Sequence, residues 1–324
     1  MNDFHLCKWR LCGPALGHLW TILVGIRQTL DQSSSCVAQN FWTTVEDPVA
    51  GQVQLSGLYL DCCESDDLVV LIHGLGGSAM SAYVQEAAYA AVLSGCSALC
   101  LSMRGADGSG EDIFHGGLTE DIRVALAAPV LARYRRVQLL GFSVGGHLAL
   151  KAALDGVDPR LTAVAAICPP LDLDQATLAF DQPSAYLYRR YIFAAMNRVY
   201  DRAAARRRFL TPARIVRKAR SCRERDAVTV VPRFGFRNPE DYYHRESVAT
   251  RIHQLATPAL LVAASYDPII PARTLRSSIS KASHALSVRW VDHGGHVRFP
   301  AHLDLGFGGP LGLAPQVLQW FSRA

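Results

Sequence analysis

Ser143 stands in Gly141-Phe-Ser143-Val-Gly145, a serine with a glycine two residues to either side. The spacing suits a sharp strand-to-helix turn, in which glycines permit close backbone approach and the hydroxyl is lifted clear of the sheet. A helix N-terminus behind it favours developing negative charge. Such a hydroxyl is a nucleophile only when a base takes its proton and an acid orients the base. Asp267 lies in Ser265-Tyr-Asp267-Pro-Ile-Ile-Pro271, after an apolar run, and His293-Gly-Gly-His296-Val297 follows a later one. Serine, acid and histidine in that chain order, each at the C-terminal end of a strand, is an arrangement for acyl transfer through a covalent intermediate. The residues alone leave His293 and His296 as rival bases, while Asp292 is too near both to be the first choice as orienting acid. The plain alternatives are a glycine-rich turn for Ser143 and a turn-forming Asp-Pro for Asp267.

A tetrahedral oxyanion needs donors already in place. His73-Gly-Leu75-Gly-Gly77 follows another apolar run, and its glycines let the backbone turn N–H groups toward the serine. The predicted oxyanion hole pairs the N–H of Val144, next after the nucleophile, with that of Leu75.

These residues need a sheet to hold them. Near-continuous apolar runs at 68–72, 97–102, 137–142, 162–168 and 258–264 suit strands buried on both faces of a parallel sheet. Between them, 82–93, 118–131 and 144–154 carry apolar residues at three- and four-residue spacing, as crossover helices require. An edge strand near 53–60, a last strand at 287–292 and a closing helix at 314–321 complete a mostly parallel, doubly wound α/β sheet. The rhythm breaks from about 171 to 250, a stretch with helical periodicity and no convincing strand, which reads as an inserted helical cap.

The motifs together resemble the α/β-hydrolase superfamily, and more narrowly its YheT-type branch of esterases and lipases. Gly17-His-Leu-Trp-Thr-Ile22 is similar to that branch's GHLQTI segment, and His73-Gly-Leu-Gly-Gly-Ser78 to its HGLEGS loop, with Gly76 in place of Glu. Arg104-Gly105 with His115-Gly-Gly-Leu-Thr-Glu-Asp121 resembles its RG…HxGxTxD stretch. Gly141-Phe-Ser-Val-Gly-Gly-His147 resembles GFSLGGN, with His147 in place of Asn. Asp241-Tyr-Tyr243, Asp267-Pro268 and Gly294-Gly-His296-Val297 follow in the family's order. The resemblance implies an α/β-hydrolase fold, Ser143 as nucleophile, Asp267 as acid and His296 rather than His293 as base. It also implies that residues 1–45 form an arm packing on a hydrolase domain of residues 46–324, not a targeting peptide. His147 is expected as a packing residue, with altered pocket polarity as the sharper alternative.

The expected activity is hydrolysis of carboxylic esters, of the medium-chain acyl ester or monoacylglycerol class, without metal or organic cofactor. Acyl transfer, thioester or phospholipid hydrolysis would use the same three residues. A degenerate fold that only binds ligand would not need all of them.

Composition sets the bounds. The chain has 324 residues, 50% hydrophobic, enough for a sizeable core and unlike a disordered protein. Its net charge of +5 conceals an asymmetry: residues 189–225 hold 13 basic and two acidic side chains, leaving the rest at −6. The basic segment suits an anionic substrate or weak peripheral contact with an anionic membrane; the bland reading is a solvated face whose arginines pair with the acidic body. No nucleic-acid-binding module is recognisable. Nine cysteines without paired zinc spacing suggest reduced thiols in a cytosol-like compartment. The uncharged stretch 11–26 would reach only about 24 Å as a helix, short of the ~30 Å hydrocarbon core.

Overall fold

The apolar runs form the middle of an eight-stranded sheet, and in a computed structural model covering residues 17–19, 21 and 37–324 they are buried almost residue for residue. They are β3 (Asp67–Ile72), β4 (Ser97–Ser102), β5 (Arg136–Phe142), β6 (Leu161–Ile167) and β7 (Ala259–Ala264). With β1 (Val37–Asp47), β2 (Gly51–Asp61) and β8 (Leu286–Val291), the order is β1-β2-β4-β3-β5-β6-β7-β8. All pairings from β4 to β8 are parallel, whereas β1–β2 and β2–β4 are antiparallel.

The expected edge strand is therefore β2, and the true edge is β1. Only Phe41 and Val45 of β1 are buried, so its sequence lacks the apolar run that marks the interior strands. The single helix expected over 118–131 is also divided. It becomes α2 (Glu120–Leu126) and a 3₁₀ turn, Pro129–Leu131, because Ala128 before the proline is extended.

Helices cover both faces. Beyond the helical residues 17–19 and 21, in chain order they run α1 (Ala82–Leu93), α2 and α3 (Val144–Asp155). Between β6 and β7 lie α4 (Leu173–Phe180), α5 (Tyr186–Arg206), α6 (Ala213–Val216), α7 (Cys222–Val228), α8 (Val230–Phe234) and α9 (Pro239–Glu246), with no strand among them. The last are α10 (Arg273–Ile279) and α11 (Leu313–Phe321). Val84, Ala88 and Ala91 of α1 share one apolar cluster with Val317 and Phe321 of α11. Ile122, Leu148, Ala152 and Leu275, from α2, α3 and α10, belong to the cluster on the other face.

The segment between β6 and β7 is fastened to the sheet by buried charge. Arg104, 1% exposed, grips Asp121 through Nε at 2.9 Å and Asp47 through Nη1 at 2.8 Å. Arg233 of α8 reaches the same group, 2.9 Å from Asp47 and bonded through Nε to Asp112 at 3.0 Å. Arg206 and Arg207 both pair with Glu111, at 2.8 and 3.0 Å. Arg223 pairs with Asp174 and Glu240. Of the 13 basic side chains of 189–225, Arg206, Arg207, Arg217 and Arg223 thus pair with carboxylates.

One cysteine expectation fails. Cys62 is disulfide-bonded, while Cys63, Cys96, Cys100, Cys168 and Cys222 are free. Cys62 is the first residue past β2 and only half-buried, so its sulfur is open to oxidation in a way that buried Cys100 and Cys168 are not. No helix among the described residues is long and apolar enough to cross a membrane. Most of the 1–45 arm, including Trp20, Cys7, Cys12 and Cys36, lies outside the described residues.

Candidate active site

Ser143 joins β5 to α3 with φ 54° and ψ −123°, a conformation that costs a non-glycine residue about 1–3 kcal/mol. Its N–H donates to the Ile167 carbonyl of β6 at 2.8 Å, and its own carbonyl accepts from Gly146 and His147 at 2.9 and 3.1 Å. The flanking glycines are steric necessities. A Cβ on Gly141 would sit 2.1 Å from the Gly145 oxygen, and one on Gly145 would sit 2.2 Å from the Ile72 oxygen. Among the described residues, the non-glycine positive φ angles are those of Ser143, Cys168 and Val297. These three residues gather around the same group of side chains.

Asp267 lies just past β7 and His296 in the loop after β8, as strand-end placement predicts. His296 Nδ1 and Asp267 Oδ2 are 2.8 Å apart. The other carboxylate oxygen accepts the N–H groups of Ile269 and Ile270 at 2.8 and 2.9 Å, so both oxygens are fixed. With Nδ1 engaged, the imidazole keeps Nε2 for proton transfer. His293 is not the ring that meets Asp267. Asp292 is exposed and accepts from the Ser265 hydroxyl at 2.7 Å.

Cys168, one residue past β6, joins the pair from below. Its Sγ and the ligand atoms of Asp267 and His296 lie within 4.8 Å of one another, the one such trio of metal-type donors among the described residues. The thiol donates to the Gly295 carbonyl at 3.9 Å, and burial, with the Asp267 charge, drives its pKa well up, keeping it protonated. Ser143 is tied to the residue before Cys168, so the β6 end brings the serine turn and the Asp–His pair to one place. Sequence reading gave Cys168 no role, since a cysteine ending an apolar strand looks like any small core residue.

The glycine loop after β3 lies against the serine. A Cβ on Gly74 would be 3.0 Å from Ser143 Cβ and 3.6 Å from its Oγ. Two side chains to which the sequence assigns no role of their own, His73 and Tyr83, pin this loop. His73 accepts the Met103 N–H on Nε2 at 3.1 Å, so Nδ1 carries the proton and donates to the Gly74 carbonyl at 2.8 Å. Tyr83 Oη accepts the Gly74 N–H at 3.1 Å. Among the described residues, no acceptor holds the N–H of Leu75, and that of Val144 is a first-turn donor with no intrahelical partner.

A model of the alpha/beta hydrolase family matches residues 69–304. The chain belongs to that family. YheT of Escherichia coli is 26% identical over 245 residues, covering 71% of this chain and 70% of that protein. A monoacylglycerol lipase of Saccharomyces cerevisiae is 24% identical over 254 residues, 72% of this chain but only 55% of the yeast protein. An esterase structure from Pyrococcus furiosus superposes with a TM-score of 0.53 at 16% identity, over 85% of this chain and 88% of that one, a likeness of fold.

In this α/β-hydrolase the residues that depart from the family pattern have definite surroundings. Gly76 has φ +71°, and a Cβ there would lie 3.0 Å from Ala195 Cβ on α5. A glutamate there would be strained at that φ and would crowd Ala195, and the loop beside the serine touches α5. His147 is fully buried. Nδ1 is 2.5 Å from the Pro170 carbonyl and Nε2 2.9 Å from that of Glu246, the residues that lead into and out of the β6–β7 segment. A neutral ring donates to only one of these at a time. His115 packs edge-on against Phe234, Phe236 and Tyr242, and Tyr242 Oη accepts the neighbouring Gly116 N–H at 2.9 Å.

Burial makes three imidazoles acid-sensitive. Desolvation pushes His73 down to about 4. Desolvation and then the nearby Arg104 charge push His115 down to about 3. Desolvation lowers His147 as well. As pH falls below the ordinary value of 6.5, the unfolded chain binds protons that the folded rings refuse. Their contribution is therefore complete above pH 7 and is lost as pH falls from 6.5 toward 4. By pH 5 the loss is about 2 kcal/mol for each of His73 and His115. Urea unfolding at pH 7.5 and pH 5 measures it; equal free energies contradict this account.

Proposed function

We propose that this α/β-hydrolase cleaves carboxylic esters through an acyl-enzyme on Ser143. The observation that carries the reading is the Asp267–His296 pair, 2.8 Å apart, at the sheet edge where Ser143 occupies a strained turn. Ser143 Oγ attacks the ester carbonyl as His296 Nε2 takes its proton, while Asp267 fixes the ring and stabilises its cationic form. The N–H groups of Val144 and Leu75 hold the oxyanion. His296 then protonates the departing alcohol. Water, deprotonated by the same ring, attacks the acyl-enzyme and releases the acid.

The preferred substrates are medium-chain acyl esters and monoacylglycerols. Leu75, Tyr188 and Ile192 pack on the same apolar cluster as Ile269 and Ile270, so an acyl chain leaving the serine meets hydrocarbon. Relatives named monoacylglycerol lipase and medium-chain fatty acid ethyl ester synthase/esterase agree with this choice. Residues 171–250 serve as the cap over the site. The outer face of α5 joins exposed Tyr186, Leu187 and Tyr191 to Arg190 and Arg198, which have no ion-pair partner among the described residues, and suits an anionic lipid surface.

A panel of glycerol esters from C2 to C16, offered in solution or in phosphatidylserine or phosphatidylcholine vesicles, tests both points. The expected result is highest kcat/KM at C8–C12 and faster turnover in the anionic vesicles. Preference for acetate contradicts the substrate class, and equal rates in both vesicles contradict the lipid surface.

A further inference from the structure

The loops that carry Asp267 and His296 are held apart and in register by a third piece of chain, far away in sequence. The helical turn containing Gly17, His18, Leu19 and Thr21 is wedged between them. Thr21 Oγ1 accepts the backbone N–H of His296 at 2.8 Å and donates its own proton to the Gly17 carbonyl at 2.7 Å. A hydroxyl does both at once; the second bond fixes its rotamer, so that the lone pair faces His296.

The fit leaves no slack. A Cβ on Gly295, next to His296, would be 2.3 Å from Thr21 Oγ1 and 2.4 Å from the Gly17 oxygen. A Cβ on Gly17 would be 2.0 Å from the oxygen of Tyr266, next to Asp267. The turn thus touches the residue before the acid and the residue before the imidazole. It is also seated on α5: His18 Nδ1 and Tyr188 Oη are 2.6 Å apart, with their rings stacked at 5.6 Å. Tyr188 lies close enough to Asp267 for that carboxylate to raise its pKa, after burial.

His296 needs this support because its own loop supplies little. Val297 has a positive φ of 55°, and the loop's own backbone bond is Gly295 N–H to the Arg298 carbonyl at 2.9 Å. We propose that Thr21 is a positioning residue for His296, holding its main chain so that Nε2 meets the Ser143 proton while Nδ1 stays on Asp267. This rests on His296 being the base.

Steady-state kinetics on the full chain test it with Thr21→Val, which keeps the shape and loses the hydroxyl, Thr21→Ala, which adds no bulk, and Thr21→Ser, which keeps the hydroxyl. Rates are expressed per site titrated by a fluorophosphonate burst, so any unfolded fraction drops out. The expected result is kcat down about 10- to 100-fold for the valine and alanine variants, with KM within about two-fold. The serine variant stays within about three-fold of the parent. Parent-like kcat in the valine and alanine variants overturns the proposal. So does a serine variant as slow as the valine, or a loss confined to KM. His296→Ala, run alongside, separates the premises: if it turns over normally, the base is misassigned, whereas silent Thr21 variants beside a dead His296→Ala refute the positioning role alone.

Discussion

Ser143→Ala lowers ester kcat by about a million-fold and leaves the fold unchanged. The size follows from removal of the atom that forms the acyl bond; what remains is oxyanion-hole and binding catalysis acting on water. The fold survives for a local reason. Alanine keeps the Cβ that packs at 3.0 Å from the position a Gly74 Cβ would take, and it is no more strained than serine at φ 54°. The backbone bonds to Ile167, Gly146 and His147 use no side-chain atom. Circular dichroism and kinetics on the purified variant measure both effects. Turnover within a hundred-fold of the parent would mean that another group performs the attack.

His296→Ala and His293→Ala form the second prediction, and they separate sharply. The first loses about as much as Ser143→Ala, because nucleophile and base act as a unit and either deletion disables the whole. The second stays within about three-fold of the parent, since His293 is not the ring held by Asp267. Steady-state kinetics on the two variants decide the matter, and the reverse ranking refutes the assignment of the base.

These residues are legible because their signals lie in local chain chemistry. Ser143 announces itself through glycines that cannot bear a Cβ, and Asp267 and His296 through turn residues directly after apolar runs. The interior strands were legible for the same reason: each is apolar on both faces. β1 was not, because an edge strand that buries only Phe41 and Val45 has no continuous signal. The partners of the site were hidden for a different reason. Thr21 and Cys168 meet the Asp–His pair across 275 and roughly 130 residues of chain respectively, and neither residue type is distinctive. The charge count of the basic segment left open both an anionic partner and pairing with the acidic body, and the pairing is seen for part of it. Arg206, Arg207 and Arg223, like Arg233 beyond the segment, meet carboxylates brought from elsewhere in the fold, whereas Arg190, Arg198, Arg202, Arg208, Arg214, Lys218 and Arg220 stay exposed.

If Ser143 is the nucleophile of a serine hydrolase, covalent capture marks it. The parent protein is incubated with a fluorophosphonate, digested and mapped by mass spectrometry, beside Ser143→Ala treated in the same way. One phosphonyl adduct is expected, on the peptide containing Ser143, formed in the parent and absent from the variant. An unlabelled parent, or an adduct that persists in Ser143→Ala, would contradict that assignment.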